Sequence, residues 1–150
     1  MAIREIRVYD DPILRKTCRE VTEINERIRS ILEDMADTLH QTENGAAIAA
    51  PQIGILRRLV VIDLGEGAIK LVNPVITACE GTQVCMEGCL SFPDKWGKVE
   101  RPARVTVEAK DEWGEPVTIS GDGLLAQCLS HELDHLDGKV FVDKLLPNEE

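Results

Sequence analysis

From Asn25 onward, apolar side chains recur every three or four positions, at Ile28, Ile31, Leu32, Met35 and Leu39, with polar residues between them. That period predicts an α-helix with one buried stripe, capped by Asn25 and ended by Asn44 and Gly45. Before it, Asp11 followed by Pro12 reads as the cap and first position of a short helix. The middle of the chain changes period. Arg58 to Asp63, Ile69 to Thr77, Ala103 to Lys110 and Pro116 to Ser120 read as strands, separated by turn signals at Gly65-Glu66-Gly67 and Asp111-Glu112-Trp113-Gly114. Arg104, Thr106 and Glu108 alternate with Val105, Val107 and Ala109, the pattern of an antiparallel sheet with one wet face. The run from Gly123 to Leu136 is helical again and is stopped by Gly138. Its apolar arc of Leu124, Leu125, Cys128, Leu129, Leu133 and Leu136 is wide enough to predict a buried helix. The order points to an α+β fold with antiparallel or mixed sheets packed around a C-terminal helix. No repeat or long linker divides the chain, so residues 1–150 are expected to form one domain.

Composition narrows the classes. The 150 residues suffice for a real core, and 43% apolar with 29% charged residues excludes collagenous and disordered chains. The five aromatic residues, Tyr9, Phe92, Trp96, Trp113 and Phe141, are scattered, so the core must be aliphatic and no base-stacking platform is expected. A net charge of −10 removes any general attraction to phosphate backbones, which makes nucleic acid an unexpected partner. No apolar run reaches the ~18 residues of a membrane helix, and Met1 to Glu5 lack an apolar signal segment. A cytoplasmic protein is expected, with Cys18, Cys79, Cys85, Cys89 and Cys128 kept as thiols.

The chemistry gathers at Ser130-His131-Glu132-Leu133-Asp134-His135, a His-Glu-x-x-His pattern (HExxH) on the last helix. Four helical steps leave the two imidazoles ~40° apart in azimuth and ~6 Å apart along the axis, so both can reach one metal ion. Glu132 stands beside them, where a carboxylate can take a proton from metal-bound water. Two ligands do not make a catalytic site, and the remaining histidine, His40, is better explained by the helix C-terminus it occupies. The third ligand must be a cysteine or a carboxylate, and spacing does not choose. Cys128 lies one turn before His131 among apolar neighbours that favour packing. Cys89 lies in Met86-Glu87-Gly88-Cys89-Leu90-Ser91-Phe92-Pro93, where Gly88 permits close backbone approach and Pro93 is expected to end local pairing. A further segment, Asn44 to Gly54, is built of small residues around Gln52. It suits an extended peptide pairing alongside and an amide donating to an oxyanion, or equally a packed Ala-rich strand and turn.

Gly45 to Gln52, Glu87 to Ser91 and His131 to Gly138, in that order, resemble the three signature segments of bacterial peptide deformylases. The likeness extends to Ile6-Arg7-Val8-Tyr9, to Asp11-Pro12-Ile13-Leu14-Arg15 and to Gly138 through Leu145. The resemblance implies Cys89, His131 and His135 as metal ligands, Glu132 as acid/base, and Gln52 with the Leu90 backbone N–H as oxyanion hole. It implies Fe2+, replaceable by Ni2+, Co2+ or Zn2+, and an ion left with one net positive charge by a thiolate and two neutral imidazoles. The implied reaction removes formate from the N-formylmethionine of nascent peptides, whose backbone would run along Gly45, Ala46, Ala47 and Ile48. Ala47 stands where the family's first signature has a second Gly, which puts substrate affinity in question, and Ser130 stands where many members have Gln. A monomer near the ribosome only transiently is expected, because Leu146 to Glu150 do not form a long basic helix. The competing readings are an HExxH metallopeptidase cutting internal bonds and a structural zinc module closed by four protein ligands.

Overall fold

The computed structural model describes residues 3–42 and 45–147. The predicted short helix is a 3-10 turn, Pro12–Arg15, whose cap Asp11 accepts from the Ile13 N–H. Helix α1 spans Glu26–His40, with the Asn25 side chain accepting from Ile28 N–H as its capping role requires. Its expected terminator Asn44 lies outside the described residues. His40, at the last turn, pairs with Asp63 at 2.7 Å.

Seven strands follow among the described residues: β1 Ala47–Ala49, β2 Leu59–Ile62, β3 Ile69–Glu80, β4 Gln83–Cys89, β5 Phe92–Arg101, β6 Arg104–Lys110 and β7 Pro116–Asp122. Helix α2, Gly123–Leu136, has the predicted bounds. The sheets are antiparallel, one ordered β1-β2-β3-β6-β7 and the other a β4-β5 hairpin.

The larger sheet is covered on both faces at its β2 end. Leu59 and Val61 pack with Ile28, Leu32 and Met35 of α1. Val60 and Ile62 pack with Leu129, Leu133 and Leu136 of α2. This explains why β2 is apolar at every position, whereas β6, open on one face, alternates. The wide apolar arc of α2 is buried as expected except at Leu125, which is partly buried, and Leu124, which is 56% exposed and lines a cavity. Gly138 ends α2 at φ +74°, and a Cβ there would lie 2.5 Å from the Arg15 carbonyl oxygen, so only glycine fits.

The β4-β5 hairpin departs from the sequence reading, which found no strands there. Its alternation is inverted: Glu87 and Arg101 face inward, while Met86 and Trp96 face outward. Apolar-in patterning therefore fails as a signal. Pro93 does not end the pairing either; it lies inside β5, in a two-stranded sheet where its missing N–H can face away from β4. Leu14, Phe92, Val99, Val140 and Phe141 form a third core cluster that fastens this hairpin to the C-terminal segment.

Candidate functional site

The hairpin brings the end of β4 against the last two turns of α2. Cys89 Sγ lies 3.3 Å from His135 Nε2, which lies 3.2 Å from His131 Nε2. All three ligand atoms fall within 4.8 Å of one another. Tetrahedral bonds of normal length would separate two imidazole nitrogens by about 3.3 Å and a nitrogen from a sulfur by about 3.6 Å, so the cluster fits one divalent ion. At this distance the two buried imidazole nitrogens can share one cation between their lone pairs, or one proton when no cation is bound. Without a cation, burial opposes protonation of His131, but Glu132, Cys89 and Glu87 outweigh it and raise its pKa well above the usual value. Burial, reinforced by His131, lowers His135 well below its usual value. Of the other cysteines, Cys128 packs in the α2 core, and burial pushes its thiol up to about 12.

Behind His131 lies a charge network that sequence reading missed. His131 Nδ1 lies 2.5 Å from Glu87 Oε1, the contact that turns Nε2 toward the cluster. Arg101, 3% exposed, holds both Glu87 oxygens through Nε and Nη2 and donates from Nη1 to Asp134 at 2.7 Å. Burial would raise the Glu87 carboxyl, yet hydrogen bonds from His131 and Arg101 outweigh it and hold it at about 2. Glu87 was legible only as part of a motif, and Arg101 carried no local signal. Glu87→Gln keeps the shape but weakens the grip on His131, and should lower metal affinity about 10–100-fold. A chelator-competition titration checks this; unchanged affinity would remove Glu87 from the site.

Glu132 lies 3.8 Å from His131 Nε2 and is 4% exposed. Its Oε1 is buried without a hydrogen-bond partner among the described residues. Burial pushes its carboxyl up to about 7 against the pull of His131. Gln52 sits on a 3-10 turn, Ala50–Ile53, immediately after β1. Its Oε1 accepts from the Ala49 N–H at 2.9 Å, which leaves Nε2 turned toward Ser91 Oγ at 3.2 Å and Cys89 Sγ at 3.6 Å. The N-terminal segment ties the two loops together. Arg7 N–H donates to the Gln52 carbonyl at 2.6 Å, and Tyr9 N–H donates to the Ser91 carbonyl at 2.8 Å.

A cavity of about 420 Å³ opens beside these groups. Gly45, Ala46, Ala47, Gln52 and Leu90 line it, together with the apolar side chains of Met86, Leu124 and Cys128. Ile48 does not line it: its side chain is fully buried in the α1 core, so only its backbone remains available to a peptide. A larger groove of about 830 Å³ beside the start of α1 contains none of these ligands.

A family profile described as polypeptide deformylase matches residues 3–150. The chain belongs to the polypeptide deformylase family. Peptide deformylase 2 of Clostridium acetobutylicum is 59% identical over 143 residues, covering 95% of each chain. Peptide deformylase of Caldicellulosiruptor bescii is 52% identical over 146 residues, covering 97% of this chain and 87% of its own. The crystal structure of peptide deformylase from Thermotoga maritima superposes with a TM-score of 0.94 at 37% identity, covering 98% of this chain and 100% of that one. As a deformylase, the protein is a metal-dependent hydrolase that removes the N-formyl group from nascent peptides. Neither an internal peptidase nor a structural zinc module finds support among these relatives.

Proposed function

We propose that Cys89, His131 and His135 hold one divalent ion, Fe2+ in the cell with Ni2+, Co2+ or Zn2+ able to replace it, and that Glu132, Gln52 and Leu90 act on the formyl group. The convergence of one thiol and two imidazoles within 4.8 Å, beside a buried carboxylate, carries this reading. When bound, such an ion polarises a carbonyl and makes a water molecule acidic enough to attack near neutral pH.

Glu132 accepts the proton of the attacking water and returns it to the departing methionine nitrogen as the carbon–nitrogen bond breaks, giving formate and a free amine. Burial raises the Glu132 carboxyl, and a neighbouring cation would draw it back down. The Gln52 Nε2 and the Leu90 backbone N–H donate to the oxygen that gains charge in the transition state. Because the Ala49 N–H occupies Oε1, the donor end of Gln52 is already turned toward Cys89 before substrate arrives. The substrate backbone adds alongside β1, an edge strand, with Gly45, Ala46 and Ala47 against it and Ile48 contributing main-chain groups only. The methionine side chain takes the apolar part of the lining, Met86, Leu124 and Cys128. Proposed with this are a monomer of one catalytic domain over 1–150, a cytoplasmic setting and transient proximity to the ribosome. No helix among the described residues is long and apolar enough to cross a membrane.

Anaerobic purification with metal quantification, followed by formate release from formyl-Met-Ala and acetate release from acetyl-Met-Ala, tests the reading. The expected result is one ion per chain and acetyl turnover at least about tenfold slower, since a site shaped around a formyl hydrogen excludes a methyl group. Equal rates on both peptides would overturn it.

A further inference from the structure

The groove of about 830 Å³ beside the start of α1 gathers four arginines, Arg4, Arg19, Arg27 and Arg57, in a chain of net charge −10. Arg4 is already employed, its Nε and Nη2 holding Asp34 at 2.9 and 2.8 Å. The other three make no ion pair among the described residues. Glu20 and Glu23 line the same groove, yet neither carboxylate is paired with an arginine among those residues.

The backbone sets two of these arginines side by side. The segments before α1 and before β2 run parallel for one bridge, Arg19 N–H donating to the Leu56 carbonyl and Arg58 N–H to the Arg19 carbonyl, both at 3.1 Å. Arg19 therefore stands opposite Arg57, and the two side chains leave the backbone on one face while Arg58 leaves on the other. There Arg58 is spent on the Cys18 and Leu136 carbonyls and on Asp137. The Arg19 side chain has no partner among the described residues, and Arg57 reaches only the adjacent Leu56 carbonyl, at 3.5 Å. Like charges set opposite each other repel, so this pair works against folding unless an anion lies between them. Arg27 adds a third guanidinium from the first turn of α1, where the helix end is itself positive. Glu26, the acidic residue of that turn, does not line the groove.

We infer that this groove binds the phosphate group of a small molecule, seated between Arg19 and Arg57 and faced by Arg27. A carboxylate offers two coplanar oxygens, which one guanidinium fork already occupies. A phosphate offers oxygens in a tetrahedral array and satisfies two forks at once. Val21, Ile28 and Ile55 supply an aliphatic wall, with room for an organic body beyond the phosphate. An RNA backbone fits less well. Glu20 and Glu23 interrupt the positive surface, no aromatic side chain lines the groove to stack a base, and the remainder of the chain repels a polyanion.

The test titrates the full, zinc-loaded, 15N-labelled chain with inorganic phosphate, hexyl phosphate and hexanoate at constant ionic strength. Phosphate should move amide resonances within 19–31 and 54–57 saturably, with a Kd of about 1 mM or below. Hexanoate should bind at least about tenfold more weakly than hexyl phosphate, the scale of one lost guanidinium fork. Arg19→Gln and Arg57→Gln should each weaken both phosphate probes about five- to tenfold and leave formate release from formyl-Met-Ala within about twofold of wild type. Glu20→Gln, which removes a negative charge from the lining, should tighten both. Tighter binding of hexyl phosphate than of phosphate identifies an ester as the ligand, and equal binding identifies the free anion. Hexanoate binding as well as hexyl phosphate, affinities unchanged in both arginine variants, or shifts confined to the surroundings of Cys89 and His135 would each overturn the site. An oligouridylate that binds this face more tightly than hexyl phosphate, with an affinity falling steeply with salt, would overturn it in favour of a nucleic-acid surface.

Discussion

Glu132→Gln should fold normally, bind its metal and release formate from formyl-Met-Ala about 10²–10⁴-fold more slowly, the usual contribution of a positioned acid/base. The substitution replaces one oxygen by nitrogen in a side chain that is 4% exposed and has no hydrogen bond at Oε1 among the described residues. Packing is conserved, and a buried carboxylate whose one pairing, to His131 at 3.8 Å, is long is replaced by a neutral amide, so the melting temperature should change little. The loss should appear in kcat, because the proton moves only in the reaction and not in binding. Steady-state kinetics with metal content measured on the same preparation checks this. Wild-type kcat at full metal loading would refute the assignment of Glu132.

Cys89→Ala should purify with little or no metal and be inactive. Two imidazoles 3.2 Å apart remain, but the only anionic ligand of the set is gone, and with it the charge that balances a divalent ion. Wild-type metal stabilises the folded chain in proportion to its occupancy, by about 2.7 kcal/mol at a free concentration 100 times Kd. Adding a chelator should therefore lower the melting temperature of the wild type and leave that of Cys89→Ala unchanged. Cys128→Ala, by contrast, should retain metal, since that sulfur belongs to the α2 core. Stoichiometric metal in Cys89→Ala would overturn the ligand set.

Local patterns were legible because they depend on neighbours a few residues away. The stripe Ile28, Ile31, Leu32, Met35 and Leu39 predicts α1, and Asn25 caps it through a contact three residues along. The histidine pair is legible for the same reason: one helical turn puts His131 and His135 together wherever α2 lies. The β4-β5 hairpin was not legible. Its inward Glu87 and Arg101, 14 residues apart, look like surface charges until each is seen to neutralise the other. Glu87 reaches its second partner, His131, across 44 residues.

By itself the sequence determined the helices, most of the large sheet, the two-histidine face and, through resemblance of its three short segments, the family. The same resemblance named Cys89 as the third ligand; only the tertiary structure decided that its sulfur meets those histidines, that Arg101 and Glu87 orient His131, and that the Ile48 side chain is turned away from the cavity. The reason is physical. Helical and strand periods are set by backbone geometry over a few residues, whereas the cluster at Cys89 exists because the hairpin, fastened through Phe92, Val99 and Phe141, presses the end of one strand against a helix whose His135 lies 46 residues later.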